Sequence, residues 1–445
     1  MPGNCRVFFV QRRMVNLLQI HLMRTYFLAA ILLLTNSIIA QRTLIHCGQL
    51  IDVKNSTQLP AMTIVVEGNK IVEVQKGYTT ATVGSTVIDL KKLTVMPGLI
   101  DMHVHLESET GPASYLNGFT YNPADFAFQS VVFAEKTLMS GFTAVRDLGG
   151  TNVNIALRNA INKGWVVGPR VYTAGKSLAS TGGHADPTNN YRKDLMGDPG
   201  PREGVVNSVE DAAKAVRQRY KDGADLIKIT ATGGVLSMAK DGSGAQFSIE
   251  EIKAIVQTAN DYGFRVAAHA HGAEGMKRAV LGGVHSIEHG SYMTEEVMEL
   301  MKERGTYLVP TIVAGKSTAD SAKKPGYYPD IVKAKALVIG NFIQGTFAKA
   351  YKKGVKIAFG TDAGVYAHGK NWMEFQYMTE VGMPILEAIK CATVNAADLL
   401  GDDSIGSIEK GKMADIIAVD GNPQQDVSSM SRVQFVMKGG KVFKQ

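Results

Sequence analysis

The sequence predicts an α/β protein: a (β/α)₈ TIM-type barrel with a small β-sandwich module formed from both chain ends. Three observations predict it. Eight candidate strands alternate with amphipathic helical stretches between residues 94 and 360, and such alternation implies parallel strands joined by right-handed crossovers. Both chain ends are written instead as short strands separated by tight turns. Histidines recur at the ends of the candidate strands, which is where barrels of this kind carry their chemistry.

Residues 1–40 read as a targeting segment. Arg24 precedes the apolar run Tyr26–Leu34, and small or polar residues follow to Ala40. A positive end, a short apolar core and a small-residue cleavage region are the order of a secretory signal. The run is short for a bilayer core of about 30 Å. The expectation is a periplasmic or secreted chain beginning at Gln41, with no stable membrane insertion after cleavage. An uncleaved anchor is the alternative, and Met23 is a second candidate start. Of the formal charge of +7, four units come from Arg6, Arg12, Arg13 and Arg24. The remainder holds 44 basic against 41 acidic side chains, with no basic patch interleaved with aromatics. No nucleic-acid partner is expected. A homo-oligomer is left open.

Residues 41–97 form the first part of the predicted β-module, and residues 401–445 the second. The stretch EGNKI, flanked by alternating Val and Ile, has the Gly-Asn chemistry of a hairpin turn. Neither piece is large enough to bury a core alone. Residues 98–400 supply the barrel, although its first strand is drawn as Thr94–Leu106. The others are Phe142–Leu148, Arg170–Gly175, Ala224–Ile229, Arg265–His271, His285–His289, Tyr307–Val313 and Lys356–Gly360. Helices are expected over Ser208–Lys221, Ile249–Tyr262, Thr294–Arg304 and Leu386–Leu400. Cys47 and Cys391 lie too far apart in sequence to make a disulfide framework, so two buried free thiols are expected.

The candidate chemistry sits at strand ends. His103 and His105 fall in GLIDMHVHLE; residues two apart on a strand face the same side, so both imidazoles can grip one ion, and imidazole suits zinc. His269 and His271 repeat the spacing in RVAAHAHG, His289 ends SIEHG, and Asp362 follows IAFG. Lys228 lies in ADLIKITATGG, inside an apolar run where an unpaired lysine is rare. His184, in STGGHAD, is placed for substrate, and His368 could border the same pocket. The Gly-Gly pairs at 149–150, 182–183 and 233–234 could let substrate approach the backbone. No GxxxxGK[ST] loop and no G-x-S-x-G elbow occurs, which argues against nucleotide chemistry and a serine nucleophile.

On PGLIDMHVH, ADLIKI, HAHG, SIEHG, GTDAG and GSIEKGKMADIIAVD, the chain from about residue 42 to 445 resembles the amidohydrolase superfamily. The likeness is to its binuclear-metal Xaa-Pro/Xaa-Arg dipeptidase and imidazolonepropionase-like branch. The resemblance implies that His103 and His105 bind one metal and that His269 and His289 bind a second. It implies a CO₂-derived carbamate on Lys228 bridging both, with Asp362 touching the first metal and moving the proton. It chooses His269 over His271 as ligand, leaving His271 to support the site or touch substrate, and it gives His184 the scissile carbonyl. An unmodified lysine facing two dications is electrostatically untenable, and carboxylation cures that. The expected cofactors are therefore two divalent metal ions, with zinc as the default.

The expected reaction is hydrolysis of an amide or peptide bond in a small-molecule substrate by a hydroxide held between the metals. Dipeptides such as Xaa-Pro or Xaa-Arg, or N-acyl amino acids, are the expected substrates. Arg192 and Lys240, on loops after the third and fourth barrel strands, are candidates for the substrate carboxylate. Cyclic amides, carbamates and aromatic amino-acid amides are alternatives. A deaminase is disfavoured by Lys228, and a non-catalytic metal- or ligand-binding barrel by the intact set of ligand-type residues.

Overall fold

In the computed structural model, residues 42–239 and 242–445 are described. The predicted signal segment and Lys240 lie outside the described residues.

Fourteen strands are assigned among the described residues: β1 (Arg42–Asp52), β2 (Thr57–Glu67), β3 (Lys70–Lys76), β4 (Thr86–Pro97), β5 (Leu99–Val104), β6 (Phe142–Asp147), β7 (Arg170–Thr173), β8 (Ile227–Thr230), β9 (Val266–Ala270), β10 (Ser286–His289), β11 (Tyr307–Val309), β12 (Ile416–Val419), β13 (Val433–Lys438) and β14 (Lys441–Lys444). The two chain ends share one seven-stranded sheet in the order β14-β13-β12-β4-β1-β2-β3. The EGNK turn joins β2 to β3 with Gly68 at φ 58°, a left-handed value that glycine adopts freely. The sheet packs its own core from Ile45, Ile64, Ile71, Val95, Ile416 and Phe435, all buried. Each end thus completes an apolar face the other could not cover.

The central region is α/β. Strands β5-β6-β7 form one parallel sheet and β8-β9-β10-β11 another. Backbone bonds run between their edges. Beyond β7, Leu178 N donates to Lys228 O at 2.8 Å, and Thr230 N to Leu178 O at 2.9 Å. On the other side, Ala358 N donates to Leu308 O at 3.0 Å and Met102 N to Phe359 O at 2.9 Å. Helices between the strands start where their sequences say they should. Ser208 and Ser248 cap Val209–Asp222 and Ile249–Asp261 by accepting from Asp211 N and Glu251 N, and Thr294 caps Glu295–Arg304 through Val297 N.

Four expectations need correction. Thr94–Leu106 is not one strand: Thr94–Pro97 ends β4 in the terminal sheet, and β5 begins at Leu99. Pro97 has no N–H for a ladder, and Gly98 N turns to Asp415 O at 2.8 Å. A Cβ at Gly98 would lie 2.1 Å from Thr143 Oγ1, so only glycine fits the crossing. Tyr307–Val313 stops at Val309; Ile312 and Val313 instead open helix Ile312–Ala322, where the Glu374 carboxylate accepts from both of their N–H groups. That tertiary cap overrides their β-branched preference. Lys356–Gly360 makes a single bridge, Ile357 to Leu308, and no ladder. Leu386–Leu400 is two helices, Ile385–Cys391 and Val394–Leu400, broken at Ala392–Thr393. Cys47 and Cys391 are buried and free.

Candidate active site

The strand ends deliver their side chains to one cavity of about 270 Å³. His103, His105, His184, Lys228, His269, His271, His289 and Asp362 all line it. His103, Lys228, His269 and His271 are at most 5% exposed, and His289 and Asp362 are 8% exposed. Three of the backbones here are strained. His289, Thr311 and Asp362 hold φ of 72°, 51° and 59°, values a non-glycine residue adopts only where its surroundings compel it.

Around Asp362 several acceptor atoms converge. His103 donates its Nδ1 proton to Glu288 Oε2 at 3.0 Å, and His105 donates its own to Gly149 O at 2.9 Å. In its neutral form each ring is thereby left with a lone pair on Nε2. Those atoms lie 3.5 and 3.3 Å from Asp362 Oδ1, and Oδ1 makes no hydrogen bond. The donor atoms of His103, His289 and Asp362 lie within 4.8 Å of one another. Two donors border the group: Lys228 Nζ lies 3.4 Å from His103 Nε2, and Thr311 Oγ1 lies 2.7 Å from His289 Nδ1. Converging lone pairs on buried atoms need a cation between them, so the donor set fits a metal of borderline softness.

Burial drives most of the ionisation here. It lowers Lys228 to about 8 and takes His103, His269 and His289 well below the ordinary imidazole value. His184 and His271 fall to about 3 for the same first reason. Burial pushes Asp362 up, but His103 and His105 outweigh it and hold the carboxyl low. His105 is raised in turn, because Asp362 offsets its burial.

His269 donates Nε2–H to Gly233 O at 3.0 Å and so keeps its lone pair on Nδ1. His271 is hydrogen-bonded through Nδ1 to Ser291 Oγ at 2.8 Å and stacks on His289 with ring centroids 5.0 Å apart. Both line the cavity. His184 stacks on His269 at 4.3 Å, and its Nδ1 has no hydrogen-bond partner. Arg192 is not brought to the site. It precedes the short helix Lys193–Met196, its side chain is 74% exposed, and its guanidinium pairs with Asp194 at 2.6 Å; a partner two residues away outcompetes a distant pocket. His368 is also outside the lining, stacked on Phe133. Two of the three Gly-Gly pairs lie against the site's own histidines: Gly149 O and Gly233 O accept from His105 and His269, and a Cβ at Gly234 would sit 2.2 Å from His184. Gly234→Ala is therefore expected to displace His184 and cut kcat about a hundredfold with metal content unchanged, as elemental analysis beside turnover will check.

An outer layer was missed in the sequence. Glu288, fully buried, holds His103 and is itself held by Arg146 Nη2 at 2.8 Å and by Ser286 Oγ. Asp101 accepts from His103 N, Thr361 N, Thr361 Oγ1 and Asn371 Nδ2, tying β5 to the turn that presents Asp362. The available signal was a charge in an apolar strand, in TAVRDL and SIEHG, the same signal that singled out Lys228.

An α/β fold whose strand ends gather histidines, one lysine and one aspartate around one cavity defines a candidate metal centre. The Amidohydrolase family model matches residues 94–443, and the chain belongs to that family. Ochratoxinase from Aspergillus niger is 33% identical over 432 residues, covering 91% of this chain and 87% of its own length. A Xaa-Pro dipeptidase solved with methionine bound in its active site is 51% identical, with a TM-score of 0.89 over 91% of this chain and all of the other. A prolidase complexed with N-methylphosphonate-L-proline is 33% identical, with a TM-score of 0.83 over the same shares.

Proposed function

We propose that this amidohydrolase cleaves the amide or peptide bond of a small substrate, a dipeptide of the Xaa-Pro kind or an N-acyl amino acid, with two divalent metals in a closed (β/α)₈ barrel. The single observation that carries the reading is the convergence of His103 Nε2, His105 Nε2 and the unbonded Asp362 Oδ1. The edge-to-edge backbone bonds of the two parallel sheets support the barrel, and the dipeptidase and ochratoxinase likenesses support the bond type.

His103, His105 and Asp362 would hold one metal and His269 and His289 the other, with carboxylated Lys228 offering an oxygen to each. Bound there, the metals would supply Lewis acidity to the carbonyl and make a neighbouring water acidic. The chain's own residues do the rest. The lowered pKa of Lys228 keeps part of its amine neutral near pH 8, the form that adds CO₂ and releases a proton. Asp362, ionised, accepts a proton from the attacking water and returns it to the leaving nitrogen. His184 stays neutral and donates a hydrogen bond to the carbonyl oxygen as charge develops on it. Asp362 is only 8% exposed, which strengthens its interactions.

The test is hydrolysis by the zinc-loaded chain in bicarbonate buffer, offered Xaa-Pro, Xaa-Arg and N-acyl amino acids and read by mass spectrometry. Release of free amino acids that a chelator abolishes and zinc restores is the expected result. Two bound metals with no release would move the reading to cyclic amides or carbamates. No bound metal would end it.

A further inference from the structure

A second cavity lies at the other end of the strands. It measures about 380 Å³, against about 270 Å³ for the histidine cavity, and reaches the size of small-molecule sites, which begin at about 300 Å³. Arg265 marks its place in the fold. It immediately precedes β9, and His269 follows four residues later, about 13 Å along a strand that rises about 3.3 Å per residue. Val394 and Ala397 from helix Val394–Leu400, together with Ile405, give the cavity an apolar side.

Most of the charges around it are already engaged. Lys54 pairs with Glu409 at 2.7 Å, and the Lys412 ammonium donates to Asp403 O. Asp398 accepts from the Tyr307 hydroxyl, and Asp402 from the Tyr172 hydroxyl and Ser404 N. Two groups are left over. The Arg265 guanidinium makes no hydrogen bond or ion pair with any described residue, and neither does the Asp403 carboxylate. They line one cavity without pairing with each other. Arg265 is partly buried and Asp403 is exposed, so the positive group sits deeper than the negative one.

The guanidinium lies flat against Gly401, where a Cβ would stand 3.0 Å from both Nε and Nη2. Gly401 closes helix Val394–Leu400 at φ 76°, so the cation faces a helix C-terminus whose partial negative charge suits it but supplies no bond. Its N–H donors remain available to a carboxylate, which a guanidinium can hold two at a time. A purely anionic ligand would meet Asp398, Asp402 and Asp403 on the same walls, and a purely cationic one would meet Arg265 unpaired. A ligand carrying both signs answers both. We propose that this cavity binds a small zwitterion with an apolar side chain, an α-amino acid, its carboxylate on Arg265 and its ammonium toward Asp403. The site goes beyond the hydrolase reading and stands without it, since binding here needs neither metal nor turnover.

The test is calorimetric titration of the zinc-loaded full chain with L-leucine, with N-acetyl-L-leucine, which lacks the ammonium, and with L-leucinamide, which lacks the carboxylate. Leucine is expected to bind tightest. Leucinamide should be at least about tenfold weaker, the worth of a hydrogen bond to a charged group; N-acetyl-leucine should be about threefold weaker, the worth of an exposed ion pair. Arg265→Gln and Asp403→Asn should weaken leucine by the same two factors. Zinc content and thermal stability should stay close to wild type, because neither side chain holds a bond the fold needs. The leucine titration, repeated after a chelator has removed the zinc, should be unchanged. No leucine binding, binding that Arg265→Gln leaves as it was, or binding lost with the zinc would overturn the site, the last two by placing leucine among the histidines. N-acetyl-leucine binding as tightly as leucine would overturn the zwitterion.

Discussion

Asp362→Asn is expected to lower kcat by about 10³-fold, within the range a lost general acid–base group costs, while the protein folds and keeps most of its metal. The backbone explains why asparagine is the informative replacement. Asp362 sits at φ 59°, a region that asparagine tolerates better than almost any other side chain with a Cβ. The turn therefore survives, and so does an oxygen that can face the metal. What disappears is the ionised, proton-accepting carboxylate that His103 and His105 stabilise. Turnover with a dipeptide substrate, zinc content by elemental analysis and thermal stability form the measurement. Wild-type turnover in a protein with full zinc would take the proton-moving role away from Asp362.

Lys228→Ala is expected to lose activity by more than the roughly 10–100-fold that removing an outer partner of a metal site costs, since the lysine would hold the metals directly, and to lose zinc with it. Lys228 lies among Ile227, Ile229 and the buried histidines with 4% exposure, so its truncation leaves a gap beside the metal donors. Acetate or propionate entering that gap would supply two anionic oxygens where the carbamate would have been. Activity and zinc content should both rise with carboxylate concentration. Lys228→Met fills the gap with a neutral chain and should not be rescued. A Lys228→Ala protein with full zinc and no response to acetate would show that the lysine does not bridge the metals.

How much of this could be read from the sequence depended on whether a side chain's partners were near it in the chain. His103, His105, Lys228, His269, His289 and Asp362 were visible because each closes an apolar strand, and the structure brings them to one cavity. Glu288 and Arg146 carry the same signal but hold each other across 142 residues, a pairing no local pattern announces. Arg192 was drawn to the substrate by its loop, and its ion pair with Asp194 is a purely local event that composition hides. Ile312 and Val313 looked extended because β-branched residues usually are, until Glu374, sixty residues on, supplied the cap that made them helical. The alternation of strand and helix was legible; the point where one sheet hands the chain to the next was not, since it depends on Gly98 meeting Thr143.

That handover at Pro97–Gly98 bears on how the molecule comes into being. The strand that carries His103 starts from β4, which lies between β1 and β12 and whose far end is tied by the bond from Gly98 N to Asp415 O. On the ribosome, β12 and Asp415 are made more than three hundred residues after β4. One edge of β4 therefore stays open until nearly the whole polypeptide has emerged. Pairings so distant along the chain are slow to form and leave sheet edges open in the meantime. A lesion in the last thirty residues, far from any histidine, would then act on assembly, by leaving that edge uncovered, rather than on the reaction.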